Sequence, residues 1–115
     1  MIYVQWSVFW VNLDPVKGSE QAGKRPVLVV SAEEANAVLP VVTIMAITLL
    51  KPGRKVYPTE VLLPASETNL SQNSIAMAHQ IRVLSKTRLE EKSGEIKSDT
   101  IKNQIRDAIR LYLDL

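Results

Sequence analysis

A polar loop in the first quarter of the chain carries side chains that suit chemistry on a phosphate group. Ser19, Glu20 and Gln21 supply a hydroxyl, a carboxylate and an amide, and none has an evident packing role. Arg25 follows, and its planar guanidinium can bond two phosphate oxygens while stabilising their charge. Because a guanidinium is a poor proton carrier, Glu20 is the obvious alternative base. Polar loops on rigid strands are where binding and catalysis concentrate.

Four further side chains have both a functional and a simpler interpretation. Thr48 ends a predicted strand, where its hydroxyl could bond a phosphate or merely cap the backbone. His79 is the only histidine, and a lone histidine is more simply a surface or hydrogen-bonded side chain. Gln80 and Arg82 share one strand face, which could read bases or phosphates or could simply face solvent. Three aromatic residues are expected in the core or a dimer interface rather than under stacked bases: Trp6, Trp10 and Tyr57.

Short apolar strands must position these groups. Unbroken or alternating apolar runs predict strands over residues 7–13, 27–31, 41–48 and 57–63, and a strand or strand pair over 74–84. Pro26 is expected at the first position of the second strand, so that Lys24 and Arg25 lie immediately before the strand begins. This pattern predicts a mainly β fold with little helix, an SH3-like small barrel of mostly antiparallel strands in one domain, residues 1–115.

The connections carry ordinary turn and helix signals. Ser98 is expected to cap the one long helix, residues 99 to about 114, whose apolar stripe faces the core. Pro52-Gly53 suits a type II turn. We also expect a helical turn at 32–37, a polar loop at 64–73, a short helix from Ser85 to about residue 91 and a brief strand at 93–96.

Composition limits the function classes. With no cysteine and one histidine among 115 residues, disulfides, cysteine-bound zinc, thiol catalysis and a two-histidine site within the chain are excluded. No apolar run approaches the roughly 18–20 residues of a membrane span, and the N-terminus has no basic leader, so a cytoplasmic protein is expected. Six positive charges face two negative ones between Lys51 and Arg88, a balance that could serve phosphates or could merely be a solvated surface.

A compound motif resembles the signature loop of the MazF/PemK (Kid-type) mRNA interferase toxins of type II toxin–antitoxin systems. It runs Asp14-Pro15, Gly18-Ser19-Glu20-Gln21 and Gly23-Lys24-Arg25-Pro26, followed by the apolar run 27–29. Similarity continues through residues 46–48, 56–61, 74–76 and 80–84, and so covers nearly the whole chain. These toxins are sequence-specific, metal-independent endoribonucleases, and the resemblance implies the same activity here, without a cofactor.

The resemblance also implies roles for individual residues and partners. Arg25 and Thr48 match the family's catalytic pair, which leaves 2′,3′-cyclic phosphate and 5′-hydroxyl ends. The positions that match RNA-contacting residues are Ser19, Glu20, Gln21, Lys24, Gln80 and Arg82. The expected partners are single-stranded mRNA, a second copy of the chain and an acidic antitoxin whose disordered tail lies along the RNA groove.

Two departures and two alternatives stay open. Trp6-Ser7 stands where the family usually has Gly-Asp or Gly-Glu, which implies a different local entry to the first strand, and His79 stands where the family more often has an acidic or another polar residue. A gyrase-poisoning toxin of the CcdB type shares the expected fold, but those proteins act through a Trp-Gly-Ile ending and lack the arginine loop. This chain ends Leu113-Asp114-Leu115. An inactive paralogue that binds RNA or antitoxin is the other alternative.

Overall fold

Six strands form one antiparallel sheet that curls into a half-barrel. The computed structural model describes residues 4–115. The strands are β1 Ser7–Asn12, β2 Lys24–Val29, β3 Val41–Leu49, β4 Glu60–Leu63, β5 Ser74–Ser85 and β6 Lys92–Glu95. Their order across the sheet is β4-β5-β3-β2-β1-β6, and every recorded pair is antiparallel. The prediction of a mainly β barrel-like fold is confirmed. The N-terminus, on which the leader prediction rests, lies partly outside the described residues.

Three helices and one 3-10 turn complete the described chain. The helices are α1 Glu33–Val38, α2 Ala65–Thr68 and α3 Asp99–Leu113, and the 3-10 turn is Lys86–Arg88. The Ser98 hydroxyl accepts a hydrogen bond from the Ile101 N–H at 3.3 Å, so the predicted cap of the long helix is confirmed. In the predicted type II turn, Gly53 has a φ of +79° and the Arg54 N–H donates to the Lys51 carbonyl at 3.0 Å.

The second strand begins earlier than predicted. β1 pairs with β2 as far as Asn12 opposite Lys24, and this ladder brings Lys24 and Arg25 into the strand. Pro26 is therefore the third residue of β2, and the prediction that it opens the strand is wrong. Thr48 is the second-last residue of β3 rather than the last.

Local hydrogen bonds explain the other differences. β4 begins at Glu60 instead of residue 57, because the Glu60 N–H donates to the Tyr57 carbonyl at 2.9 Å and closes a turn. The predicted strand pair is one continuous strand, β5. α2 lies inside the predicted polar loop, and the helix expected after Ser85 is only a 3-10 turn, whose Thr87 N–H donates to the Ser85 hydroxyl.

Apolar side chains cover both faces of the sheet. One layer packs against α3 and includes Leu28 and Met45 from the strands and Ile105 from the helix. The other layer lines the opposite face and includes Val27 and Ala46. Because side chains alternate between faces, neighbouring residues of β2 and β3 feed both layers. The apolar stripe of α3 is buried at Ile101, Ile105 and Ala108, whereas Tyr112 and Leu113 in its last turn are exposed.

Candidate active site

The register between two central strands brings Arg25 and Thr48 together. β2 pairs with β3 through Val27 opposite Ala46, Leu28 opposite Met45 and Val29 opposite Ile44. Continuing this antiparallel register by two residues places Arg25 opposite Thr48. Since strand side chains repeat every two residues, both share the face that Val27 and Ala46 occupy.

Pro26 stops the ladder just before this pair. The Val30 N–H donates to the Thr43 carbonyl at 2.9 Å, so alternate nitrogens of β2 point toward β3. Two such repeats lead to Pro26, which would face the Ile47 carbonyl but has no N–H to donate. The recorded pairing accordingly ends at Val27. The two strands are thus free to separate where Arg25 and Thr48 lie.

A cavity of about 480 Å³ opens at this point, and we call it the strand-gap cavity. Its lining includes Arg25, Thr48 and Lys24, three of the residues selected from the sequence. Trp10 of β1 and Ser93 of β6 also line it; sequence reasoning did not select Ser93, because only the pairing of β6 with β1 brings it there. The cavity falls within the roughly 300–1,000 Å³ of small-molecule sites.

The guanidinium of Arg25 is oriented by the loop before it. Its Nε donates to the Ala22 carbonyl at 3.2 Å, which uses one of the five guanidinium donors. The turn itself is braced by the Gly23 N–H, which donates to the Asp14 carboxylate at 3.0 Å, and Gly23 has a φ of +76°. A guanidinium held through Nε presents its terminal nitrogens as a fork that matches a phosphate.

Lys24 has a carboxylate partner. Its Nζ lies 3.1 Å from Glu90 Oε1, and both side chains are well exposed. An exposed ion pair of this kind stabilises a fold by only about 0–1 kcal/mol. Lys24 can therefore exchange Glu90 for an incoming phosphate at little cost.

The remaining predicted residues meet at a second cavity, of about 290 Å³, which we call the loop cavity. It is lined by Glu20 and Gln21 from the β1–β2 loop and by Gln80 and Arg82 from β5. Ser19 joins them through its carbonyl, which accepts a hydrogen bond from Gln80. The predicted set is therefore divided between two cavities that share the β1–β2 loop.

Glu20 and Gln21 of the loop cavity are candidates for a general base and for an RNA contact. Glu20 Oε1 accepts a hydrogen bond from the Lys17 N–H at 2.6 Å, and Glu20 is not part of the strand-gap lining that holds Arg25 and Thr48. The Gln21 side-chain Oε1 is buried and has no hydrogen-bond partner within residues 4–115. A buried acceptor without a donor is costly, so Gln21 Oε1 gains a partner if its side chain turns into the loop cavity toward a ligand donor.

Two arginines of the basic middle region converge on the end of β1. Arg82 Nη1 lies 3.5 Å from the Leu13 carbonyl, and the Arg88 guanidinium donates to the carbonyls of Asn12 and Asp14. These contacts hold positive charge beside the start of the β1–β2 loop. Part of the basic region predicted from the sequence is therefore placed at the candidate site.

A buried acidic residue, Glu60, which sequence reasoning did not select, lies near His79 of the loop-cavity lining. The side chain of Glu60 is 1% exposed, and Arg54 donates to both its carboxylate oxygens, at 3.0 and 2.8 Å. The Arg54 bonds hold the pKa of Glu60 below its ordinary value of 4.5; burial opposes this effect, and the Tyr57 N–H and His79 add to it. His79 Nε2 lies 3.9 Å from Glu60, and its Nδ1 is 3.1 Å from the Thr59 hydroxyl.

The described residues offer neither a metal site nor a membrane-spanning helix. Within residues 4–115, no group of three or more His, Cys, Asp or Glu side chains is arranged to hold a metal ion. No helix in the same range has the length and apolar character needed to cross a membrane. The groups that do converge are an arginine fork and a hydroxyl across a strand gap, beside an amide-rich loop.

The protein is a small β-barrel protein. It combines a curled antiparallel half-barrel, a C-terminal helix and a gap between two strands whose side chains suit a phosphate. Residues 4–113 match the family described as PemK-like, MazF-like toxin of type II toxin-antitoxin system. The chain belongs to this family, as the loop motif indicated.

Individual relatives cover nearly the whole chain. "Endoribonuclease MazF9" of Mycobacterium tuberculosis is 37% identical over 113 residues, which span 94% of this chain and 93% of the relative. The crystal structure of MazF from Deinococcus radiodurans superposes with a TM-score of 0.80 at 28% identity, covering 100% of this chain and 99% of that one. An endoribonuclease from mycobacterial species, solved in complex with its cognate antitoxin, shares the fold with a TM-score of 0.80 at 24% identity, covering 99% and 97%.

Proposed function

We propose that this protein is the toxin of a toxin–antitoxin pair and acts as a sequence-specific endoribonuclease on single-stranded mRNA. The observation that carries the proposal is the β2–β3 register, which ends with Val27 opposite Ala46; Arg25 and Thr48 lie two residues further along the same face of the two strands. Membership of the toxin family and the endoribonuclease relative from M. tuberculosis support it.

The proposed reaction is internal transfer at the phosphodiester, and it needs no metal or cofactor. A 2′-oxygen loses its proton and attacks the adjacent phosphorus, and the bond to the 5′-oxygen breaks as that oxygen gains a proton. The products are a 2′,3′-cyclic phosphate and a 5′-hydroxyl. Arg25 stabilises the charge that builds on the phosphate oxygens, a role worth about 10²–10³ in rate for one such donor. The Thr48 hydroxyl positions the reacting phosphate.

The loop cavity supplies sequence selection in this proposal. Gln21 offers an acceptor without a protein donor, and Arg82 supplies positive charge at the same cavity. Lys24 contacts a phosphate after releasing Glu90. Glu20 and Arg25 remain the two candidates for carrying the proton, and the different cavity that Glu20 lines favours Arg25.

Partners and location complete the proposal. We expect a cytoplasmic homodimer that presents both copies of the site to one RNA strand. The antitoxin has an acidic, disordered tail, because a groove that binds phosphates also attracts carboxylates. Arg82 and Arg88, held at the end of β1, add positive charge that favours either ligand.

The test is cleavage of a long single-stranded RNA in excess EDTA, with analysis of the new ends. Wild type should yield fragments with cyclic-phosphate ends at recurrent sequences, whereas Arg25→Ala and Thr48→Val should each lose at least about 100-fold in rate. Matched controls are Arg110→Ala and Thr100→Val, which alter exposed positions on α3. Cleavage that survives Arg25→Ala would overturn the site. No cleavage by folded wild type over varied RNAs would favour a gyrase-type or inactive protein.

A further inference from the structure

The side chain of Gln80 bridges two backbone groups of the β1–β2 loop. The Gln21 N–H donates to Gln80 Oε1 at 3.2 Å, and Gln80 Nε2 donates to the Ser19 carbonyl at 3.0 Å. Both ends of the amide are thus engaged by residues that flank Glu20 and lie about 60 positions away in sequence. A side chain used in this way at both ends is poorly placed to read a base.

An irregularity in β5 presents Gln80 to the loop. Met45 pairs with Ile81, but the next residue of β3, Ala46, pairs with Met77, so residues 78–80 have no partner on β3. Bulges of this kind bend a strand and re-aim its side chains. The Ala78 N–H donates to the Thr59 carbonyl at 2.9 Å, so the bulge is anchored on its β4 side.

The bridge connects directly to the orientation of Arg25. Gln80 fixes the N–H of Gln21, and the next residue, Ala22, supplies the carbonyl that accepts from Arg25 Nε at 3.2 Å. The chain of contacts therefore runs from the β5 bulge through two adjacent loop residues to the guanidinium. The Ala22 carbonyl lies two peptide units beyond the Gln21 N–H, in the peptide whose Gly23 N–H donates to Asp14. Losing the Gln80 contact loosens the loop that leads into this peptide and so disturbs the carbonyl that orients Arg25.

We infer that Gln80 is a positioning residue, which holds the β1–β2 loop so that Ala22 orients the Arg25 guanidinium. The inference rests on the proposed nuclease function for its catalytic consequence, and on hydrogen bonds within the free protein for its structural part. Gln80 acts through the loop and does not contact the reacting phosphate. This assignment differs from the RNA contact that the family resemblance implies.

Two variants of Gln80 distinguish the contributions of its two hydrogen bonds to the loop. Gln80→Met keeps the length of the side chain and removes both hydrogen bonds. Gln80→Glu keeps an acceptor for Gln21 but sets a carboxylate oxygen against the Ser19 carbonyl. In RNA-free protein, Gln80→Met should speed hydrogen exchange at the Gln21 amide at least about tenfold, and Gln80→Glu should do so less. Gln104→Met and Gln104→Glu on the exposed face of α3 are matched controls.

Kinetics on a preferred RNA site supply the catalytic readout. In Gln80→Met, kcat should fall about tenfold with KM within about twofold and with unchanged cut sites, because orientation rather than binding is lost. A changed cut-site preference or a raised KM, with Gln21 exchange unaltered, would instead make Gln80 an RNA contact and overturn the inference.

The exchange measurement also separates the inference from the proposed function. If wild type cuts no RNA, the proposed nuclease function fails, and faster Gln21 exchange in Gln80→Met still supports the loop bridge. Unaltered exchange in that variant overturns the bridge whatever the activity. Gln80→Asn, which keeps the amide but is one methylene shorter, repeats the test if Gln80→Met does not fold, and it should lose protection as well.

Discussion

The strand-gap cavity and the loop cavity position their side chains by different means. In the first, Arg25 and Thr48 lie on the same face of β2 and β3, two residues beyond the last pair of the ladder, Val27 opposite Ala46. In the second, the β1–β2 loop is held by side-chain bonds from Gln80 and by a carboxylate bond from Asp14 to Gly23. The ladder fixes the register of the two strands as far as Val27 and Ala46, whereas side-chain hydrogen bonds hold the loop.

The contrast fits a division of labour between chemistry and selection. Charge stabilisation needs donors whose position is fixed before the reaction, which a strand pair supplies. Selection among RNA sequences needs groups that can differ between related proteins without unfolding the sheet, which a loop supplies. Gln80 links the two regions, because its bridge ends one residue before the carbonyl that holds Arg25.

Restoring an N–H at position 26 should damage the strand-gap cavity most. In Pro26→Ala, residue 26 can donate to the Ile47 carbonyl, so the ladder should extend, bring Arg25 and Thr48 closer and narrow the gap. We expect kcat/KM to fall at least about tenfold. The new hydrogen bond, about 1 kcal/mol, offsets the lost proline constraint of about 0.4–1 kcal/mol. Stability should therefore change by less than about 1 kcal/mol.

The measurement combines kinetics, thermal melting and hydrogen exchange at the new amide of residue 26. Pro52→Ala, in the exposed turn after β3, is the control for losing a proline elsewhere. A protected residue-26 amide in a fully active variant would show that the gap plays no part in the site.

Sequence patterns predicted the ladder better than the loop. Apolar alternation identified the central strands and the Ser98 cap identified α3, because these depend on neighbouring residues. The start of β2 was misplaced because Lys24 and Arg25 join the strand through pairing with β1. The loop motif identified Arg25, but the loop cavity is lined by His79 and Gln80 of the β5 bulge, which no local pattern in residues 78–80 indicates.

Tertiary contacts also place some residues in environments that their neighbours in the sequence do not indicate. Glu60 reads as a strand residue beside Pro58, yet it is buried with Arg54 and near His79. Ser93 reads as part of a break, yet it lines the strand-gap cavity. In both cases the neighbouring residues belong to another element, so the sequence of one element alone does not indicate the contact.

Acid should weaken the ion pair between Glu60 and Arg54, which lies beside His79 of the loop cavity, before it affects the strand gap. The folded-state pKa of Glu60 is lowered, so its contribution to stability is fully present above the ordinary value of 4.5 and is lost as pH falls through the folded value. Glu60→Gln should flatten this part of the pH dependence. At pH 7 it should cost about 2 kcal/mol, the worth of hydrogen bonds between charged groups.

Urea unfolding at a series of pH values between 7 and 3 measures both effects. Glu95→Gln is a suitable control, because Glu95 forms only exposed ion pairs with Lys92 and Lys97. If Glu60→Gln and wild type lose stability in parallel below pH 4.5, the ion pair with Arg54 does not set the acid sensitivity.

Substituting Trp6, which lines neither cavity, should affect the two cavities least. It has a φ of +67°, a conformation that glycine adopts readily and that costs other residues about 1–2 kcal/mol. The family's glycine at this place therefore matches the backbone found here, and the departure lies in the side chain. The tryptophan ring packs on the α3-side core and lies 5.1 Å from the Arg106 guanidinium and 5.7 Å from the Lys102 amine.

Comparing Trp6→Gly with Trp6→Ala separates the ring from the backbone. Both variants lose the packing and the cation–π contacts, but only glycine relieves the left-handed φ. Trp6→Ala should therefore be less stable than Trp6→Gly by about 1 kcal/mol, the reverse of the usual order of alanine and glycine. Urea titration gives the difference, and RNA cleavage per folded molecule should stay at the wild-type rate, since Trp6 touches neither cavity. An alanine variant as stable as the glycine variant would mean that the first strand can be entered without the left-handed turn.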